Sequence, residues 1–228
     1  LGRLFLFDMD KKAAYNYLCQ FITEQRRNLI ESRANERTNR LTLVLQDIFH
    51  PHNVNAVLRT SDCLGLRDIH VIEGKYAFKT SQNISKGASK WVNVYRHPDE
   101  AACLHTLHKA GYVVFAASPH HEAATPVNVD LSKPIALIFG SEKLGLSSYV
   151  LKHADGIITL PMVGFTESLN VSVAAALCAY EITRRLRNEG HSWQLTESES
   201  DELKLEWAMR SARSAEALLM KYAKDNNI

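Results

Sequence analysis

The chain has 228 residues, 46% apolar and 23% charged, which is the balance of one ordinary globular domain with short appendages. A chain of this size buries a full core without disulfides or metal. Its net charge of +2 speaks against a histone-like polybasic binder, although a total can hide a local basic patch. No apolar run approaches the roughly 20 residues that span a bilayer.

Leu1 to Phe7 is apolar but short, and Asp8, Asp10 and Lys11 follow it with no cleavage pattern. The sequence opens on Leu, and Met9 is a candidate natural start. Cys19, Cys63, Cys103 and Cys178 are scattered and form no CxxC, so a zinc ribbon or thioredoxin-type site is not expected. Three of the four lie in apolar stretches and read as reduced core thiols. A cytoplasmic protein is the default expectation.

Residues 11–40 read as helical, with Tyr15, Leu18, Phe21 and Ile22 at helical spacing. From Leu41, short β-rich runs alternate with amphipathic helices. The runs are 41–48, 69–73, 91–95, 112–117, 134–139 and 157–160; the helical patterns are 54–64, 98–110, 146–153 and 171–187. This alternation predicts an α/β domain with a mainly parallel sheet flanked by helices. Residues 190–200 are polar and linker-like, and a last helix is expected at about 201–224, with Leu203, Trp207, Leu218 and Tyr222 on one side. The expected organisation is an N-terminal helical extension at 1–40, a body at 41–187, and a linker with a C-terminal helix at 188–228.

Ligands of parallel sheets sit at the carboxyl ends of strands, so the segments just after each strand carry the functional signal. There is no GxGxxG after the first strand and no GxxxxGK[ST], so a dinucleotide dehydrogenase or a P-loop NTPase is not expected. HExxH, GxSxG and clustered His ligands are also missing from the sequence, and the neighbours His120 and His121 read as loop residues. After the first strand comes His50-Pro51-His52-Asn53, then Arg59 six residues further on. Asn53 is expected to cap the helix. Arg59 falls among Val57, Leu58 and Leu64, where a fixed guanidinium can hold a phosphate or carboxylate. After the fifth strand comes Gly140-Ser141-Glu142-Lys143-Leu144-Gly145. Its first glycine permits close approach of a ligand, and Ser141 or Glu142 can cap the next helix. After the sixth comes Leu160-Pro161-Met162-Val163-Gly164-Phe165-Thr166-Glu167-Ser168-Leu169-Asn170-Val171-Ser172. Here Ser168, Asn170 and Ser172 are more polar groups than a cap requires.

These three segments, in this order and each after a strand, resemble the TrmH/SpoU branch of the SPOUT superfamily of RNA methyltransferases. The resemblance covers about 41–187, and the PHN start looks most like the branch acting on guanosine 18 of tRNA. Sister enzymes acting on ribosomal RNA share the same motifs. The resemblance implies an α/β fold with a C-terminal trefoil knot, a homodimer, and S-adenosylmethionine bound in the knot without metal. It implies cofactor contacts from Gly140, Leu160, Met162, Leu169, Ala117 and Ser118. It matches Arg59 to the family's catalytic arginine, and Asn53, Glu142, Ser168 and Asn170 to its other polar positions. Methyl transfer to a ribose 2′-hydroxyl is chiefly a positioning task that must also release a proton. A guanidinium holds its own proton tightly, so Arg59 is expected to clamp the phosphate 3′ of the target, and to act as the base only where its site strongly perturbs it; otherwise the phosphate takes the proton.

Charge by region points to the RNA surface. Between Gly74 and Pro98 lie Lys75, Lys79, Lys86, Lys90 and Arg96 with no acidic residue, interleaved with Tyr76, Phe78 and Trp91. This pattern suits phosphate contact with base stacking. Residues 1–40 carry eight basic and five acidic side chains, and Arg33 and Arg37 there are a candidate second RNA contact. Residues 191–228 carry five basic and seven acidic side chains and are expected to pack on the body rather than lie on phosphates. Two other classes fit less well. A non-catalytic RNA-binding module has no need of the intact Asn53, Arg59, Ser168 and Asn170. A metabolite-binding α/β protein leaves the lysine segment unexplained.

Overall fold

In the computed structural model of the chain, residues 9–74, 87–119 and 123–226 are described. Lys75, Lys79, Lys86, His120 and His121 therefore lie outside the described residues. The chain divides into two compact units. One is residues 38–193, and the other combines 1–37 with 194–228.

Two helices open the chain, α1 (Lys11–Leu18) and α2 (Glu24–Ala34), where the sequence predicts one helical stretch. Asp10 and Thr23 cap them through their side chains. The sheet follows: β1 (Leu41–Gln46), α3 (Pro51–Leu64), β2 (Asp68–Ile72), β3 (Asn93–His97), α4 (Glu100–Lys109), β4 (Val113–Ala117), β5 (Ile135–Phe139), α5 (Ser148–His153), β6 (Gly156–Ile158) and α6 (Val171–Asn188). Strand β3 starts two residues later than its sequence pattern, because Ala88–Lys90 turns as a short 3-10 helix just before it.

The strand order is β3-β2-β1-β5-β4-β6 and every pairing is parallel. Strands β1 and β5 lie at the centre, and all their residues are buried. That is why LTLVLQ and IALIF are nearly unbroken apolar runs, as a parallel sheet covered on both faces demands. One face packs under α3 and α6, the other under α4 and α5. Successive connections leave β1 toward one edge, and the strands of the other half start beyond β5. The carboxyl ends of β1, β5 and β4 therefore border a topological switch, where a crevice forms.

Helix α3 begins one turn earlier than its apolar pattern. His50 is the N-cap and Pro51 occupies the first turn, where its missing N–H costs nothing. Asn53 thus sits inside the helix rather than capping it. The buried face is Val54, Val57, Leu58 and Ser61. Arg59 points the other way and is exposed, which corrects the expectation that it lies on the apolar side. Ser147, not Ser141 or Glu142, caps α5 by accepting from Val150 N at 3.2 Å.

The second unit ends with α7 (Glu197–Ser211) and α8 (Ala215–Asp225). The sequence pattern predicts a single helix here; Ser214, at φ +54°, breaks it. Helix α7 opens with a capping box between Thr196 and Glu199. Helix α1 packs on α7 and α8, and α2 on α7, around a fully buried Trp207. Arg37 is also buried, with its guanidinium 5.0 Å from the Trp207 ring centre. This corrects the reading of Arg37 as an RNA contact: its cation is used inside the unit. Arg33 is exposed. Among the described residues, no helix is long and apolar enough to cross a membrane.

Candidate active site

The segments that follow β4, β5 and β6 enclose a cleft of about 670 Å³, a size that suits a nucleoside-like ligand. All six residues expected to touch a cofactor line it: Ala117, Ser118, Gly140, Leu160, Met162 and Leu169. Glu142, Ser168 and Asn170 line it as well.

The local geometry explains each wall. The Gly140–Ser147 turn folds back on itself through Ser141 N to Gly145 O at 3.1 Å and Gly145 N to Ser141 O at 2.9 Å. A Cβ on Gly140 would collide with the main chain of Gly145 and Leu146, so glycine is required there. Ser118 N donates to Ile158 O at 3.0 Å, which ties the second wall to β6. The third wall, 160–169, is mostly exposed. Among the described residues, none of its main-chain N–H groups donates to a main-chain carbonyl. Those donors, flanked by Leu160 and Leu169, suit the polar edge and apolar faces of a purine.

At the rim, three polar residues from distant parts of the chain meet. Asn53 Nδ2 donates to Glu142 Oε1. Phe49 N donates to Glu142 Oε2 at 3.3 Å, and Asn170 Nδ2 donates to Asn53 Oδ1 at 3.2 Å. Asn170 also caps α6 through Ser172 N at 2.9 Å. One hydrogen-bonded set thus joins the start of α3, the turn after β5 and the start of α6. It fixes the Glu142 carboxylate at the mouth of the cleft.

Arg59 stands apart from this set. It lies six residues beyond Asn53, roughly 9 Å along the helix axis. It lines a separate groove of about 540 Å³ with Asn55, Ala56 and Cys63 of α3 and Ala176 and Tyr180 of α6. Among the described residues it makes no hydrogen bond or ion pair.

Three features escape the sequence reading. Gln46, the last residue of β1, is 3% exposed. It accepts from Ser147 N at 3.1 Å and donates to Glu100 Oε1 at 2.7 Å, so it holds the far end of the Gly140–Ser147 turn. A polar residue ending an apolar strand is its only sequence signal. Phe49 is 39% exposed, with the Lys143 ammonium 4.6 Å from its ring centre. Finally, the side chains of His70, His97 and Cys103 gather within 4.8 Å of one another beneath α4, away from the residues lining the cleft. His70 Nδ1 and His97 Nε2 share a hydrogen bond at 2.8 Å. Burial, with the neighbouring His97 adding to it, pushes His70 down to about 4, and burial lowers His97 too. Burial raises Cys103 to about 12. The trio comes together through β2, β3 and α4, which no linear spacing announces.

The parallel sheet, with a switch-point cleft of nucleoside size and a rim of Asn53, Glu142 and Asn170, defines an α/β protein with a ligand site at the carboxyl ends of its strands. A model of the SpoU rRNA methylase family matches residues 40–180. The chain belongs to that family, and it is an S-adenosylmethionine-dependent RNA methyltransferase. It is 36% identical over 200 residues to the tRNA (guanosine(18)-2′-O)-methyltransferase of Borreliella burgdorferi, a match that covers 88% of this chain and 92% of that protein. The Thermus thermophilus enzyme of the same name is 39% identical over 168 residues, with 74% and 87% covered. Among solved structures, the A. aeolicus TrmH/SpoU tRNA modifying enzyme superposes with a TM-score of 0.73 at 30% identity, covering 81% of this chain and 95% of that one.

Proposed function

We propose that the protein transfers a methyl group from S-adenosylmethionine to the ribose 2′-hydroxyl of a guanosine in tRNA, the position-18 guanosine. One observation carries the reading. The six residues assigned to the cofactor line one cleft, and the Asn53, Glu142 and Asn170 set stands at its rim. The names of the relatives supply the substrate.

The cofactor brings an activated methyl on a sulfonium, so no metal is needed. Main-chain donors of 160–169 hold the purine edge, and Leu160 and Leu169 hold its faces. The Glu142 carboxylate, fixed by Asn53 and Phe49 N, favours positive charge at the cleft mouth. When bound there, the cofactor would supply its methyl to the 2′-oxygen, which would give up its proton. Arg59 clamps the 3′ phosphate of the target; it is exposed and has no partner among the described residues, which suits its donors to an anion. Ser168 orients the ribose, and the neighbouring phosphate or solvent receives the proton.

Other parts of the reading concern assembly. Val173, Leu177 and Tyr180 form an exposed apolar stripe on α6, spaced as one helical face. A second copy of the chain covers that stripe in a homodimer. The C-terminal segment through α6 is threaded as a trefoil knot, and the body at 41–187 works with its N-terminal helical extension as an RNA arm. Lys90 and Arg33, both exposed, contact phosphates together with Lys75, Lys79 and Lys86. The protein works in the cytoplasm.

The test is incubation with unmodified tRNA and rRNA fragments and labelled S-adenosylmethionine, followed by nuclease digestion and mass mapping. The expected product is 2′-O-methylguanosine in tRNA. Label confined to rRNA, or on a base, would refute the reading.

A further inference from the structure

We propose that His70, His97 and Cys103 form a structural zinc site on the α4 face of the sheet. The inference is independent of the functional reading above, because the ion takes no part in methyl transfer. The three ligand atoms lie within 4.8 Å of one another, and none of the three residues lines the cleft. Two imidazole nitrogens and one thiolate make a borderline-soft donor set, which suits zinc.

The fold builds the cluster from three elements. Strand β2 pairs with the edge strand β3 so that His70 lies opposite Tyr95 and Ile72 opposite His97. Side chains alternate along a strand, so these four residues share one face. Ile72 and Cys103 belong to the core beneath α4, which sets the thiol over that face. Tyr95 stacks on His70 at 5.1 Å and 23° and steadies its ring. His70 Nδ1 and His97 Nε2 meet at 2.8 Å, so one of them donates and the other turns a lone pair into the cluster. The Cys103 thiol is fully buried and makes no side-chain hydrogen bond among the described residues. A histidine pair alone leaves that thiol idle; a metal site uses it. Ligand atoms around tetrahedral zinc stand roughly 3.3–3.6 Å apart. The imidazoles would part by roughly 0.5 Å and the thiol would close in by about 1.2 Å at most, within the reach of side-chain rotation. As the Zn–S bond forms, the S–H proton leaves to solvent, and the donating imidazole carries its proton on its other nitrogen. The thiolate cancels half of the ion's charge, and Asp99, whose charge acts on His97, offsets part of the rest. Each imidazole is 7% exposed, which gives the ion an entry and a water the fourth position. An ion there pins β2 and β3 to α4, whose Glu100 holds Gln46.

The experiment uses the full chain, reduced and stripped with a chelator, with cobalt(II) as the optical probe. One equivalent of cobalt should raise a thiolate charge-transfer band in the near ultraviolet and strong visible bands of four-coordinate geometry. Zinc should displace the cobalt, bind with a Kd below about 1 μM and raise Tm. A Cys19→Ala, Cys63→Ala double variant, which removes the two cysteines that are not buried, should keep the whole spectrum. Cys103→Ser should lose the charge-transfer band, and His97→Gln should weaken zinc binding by more than about a hundredfold. A wild type without the band would overturn the proposal, as would a band that survives in Cys103→Ser. If Cys103→Ser does not fold, the double variant decides. Its remaining thiols are Cys103 and Cys178, and Cys178 lies in the core under α3 and α6, away from the histidine pair. The band in that variant upholds the Cys103 site, and its loss there overturns it. Methylation of RNA enters neither outcome, so failure of the functional reading leaves this test intact.

Discussion

Replacing Gln46 by Leu tests how the cleft is held open. The side chains are of similar volume, although Leu is one bond shorter, so the change removes two hydrogen bonds and little bulk. One bond, from Ser147 N, is neutral; the other, to Glu100 Oε1, ends on a carboxylate. A neutral bond contributes about 1 kcal/mol and one to a charged group about 1.5–3 kcal/mol. Gln46 is buried, but Glu100 is half-exposed and water can replace its partner, which brings the expected loss to about 2–3 kcal/mol. For a chain of this size that is a fall in Tm of about 4–12 °C. The Ser147 end of the turn also loses its tether, so a share of molecules holds the Gly140–Ser147 wall out of place. Losing about 1 kcal/mol there weakens S-adenosylhomocysteine binding about fivefold. Thermal unfolding and titration calorimetry read the two effects. An unchanged Tm together with an unchanged Kd would refute the claim that Gln46 positions the wall.

Further outcomes follow from other residues. His70 and His97 are held neutral in the fold, facing each other with Cys103 and Tyr95 close and Asp99 acting on His97. The unfolded chain binds protons below the ordinary 6.5 while folded His70 waits until about 4. Stability is therefore full above 6.5 and is lost as pH falls, by about 2 kcal/mol from His70 alone at about pH 5. Urea unfolding across this range should show the slope, and His70→Gln should flatten it. Arg59→Ala should slow single-turnover methylation by about a hundredfold or more with the cofactor Kd unchanged, since Arg59 lines another groove. Near-normal turnover would remove Arg59 from the mechanism. Affinity for tRNA should fall on the order of a hundredfold between about 50 and about 200 mM salt; a flat response would argue against phosphate contacts by Arg33 and Lys90.

The sheet was legible because central parallel strands are buried on both faces, so LTLVLQ and IALIF stand out as apolar runs. The place of the cleft was legible for a related reason: residues just past such strands face the crevice, as Gly140 does, whereas Leu160 and Leu169 were assigned to it through the family resemblance. Helix ends were less legible. Asn53 resembles a cap because its side chain suits one, but Pro51 starts the helix earlier and the side chain serves Glu142 instead. Contacts formed by tertiary folding left no local trace. Arg37 lies over Trp207, 170 residues away in sequence, so its charge looks free in the sequence alone. Arg59 falls on the exposed face because the buried face is set by Val54, Leu58 and Ser61 at helical spacing.

The most direct test of the acceptor is a pair of tRNA transcripts that differ at one sugar. One carries guanosine at position 18 and the other 2′-deoxyguanosine. The account predicts methyl transfer to the first and none to the second, because only the first has the 2′-oxygen. Equal incorporation into both would contradict it.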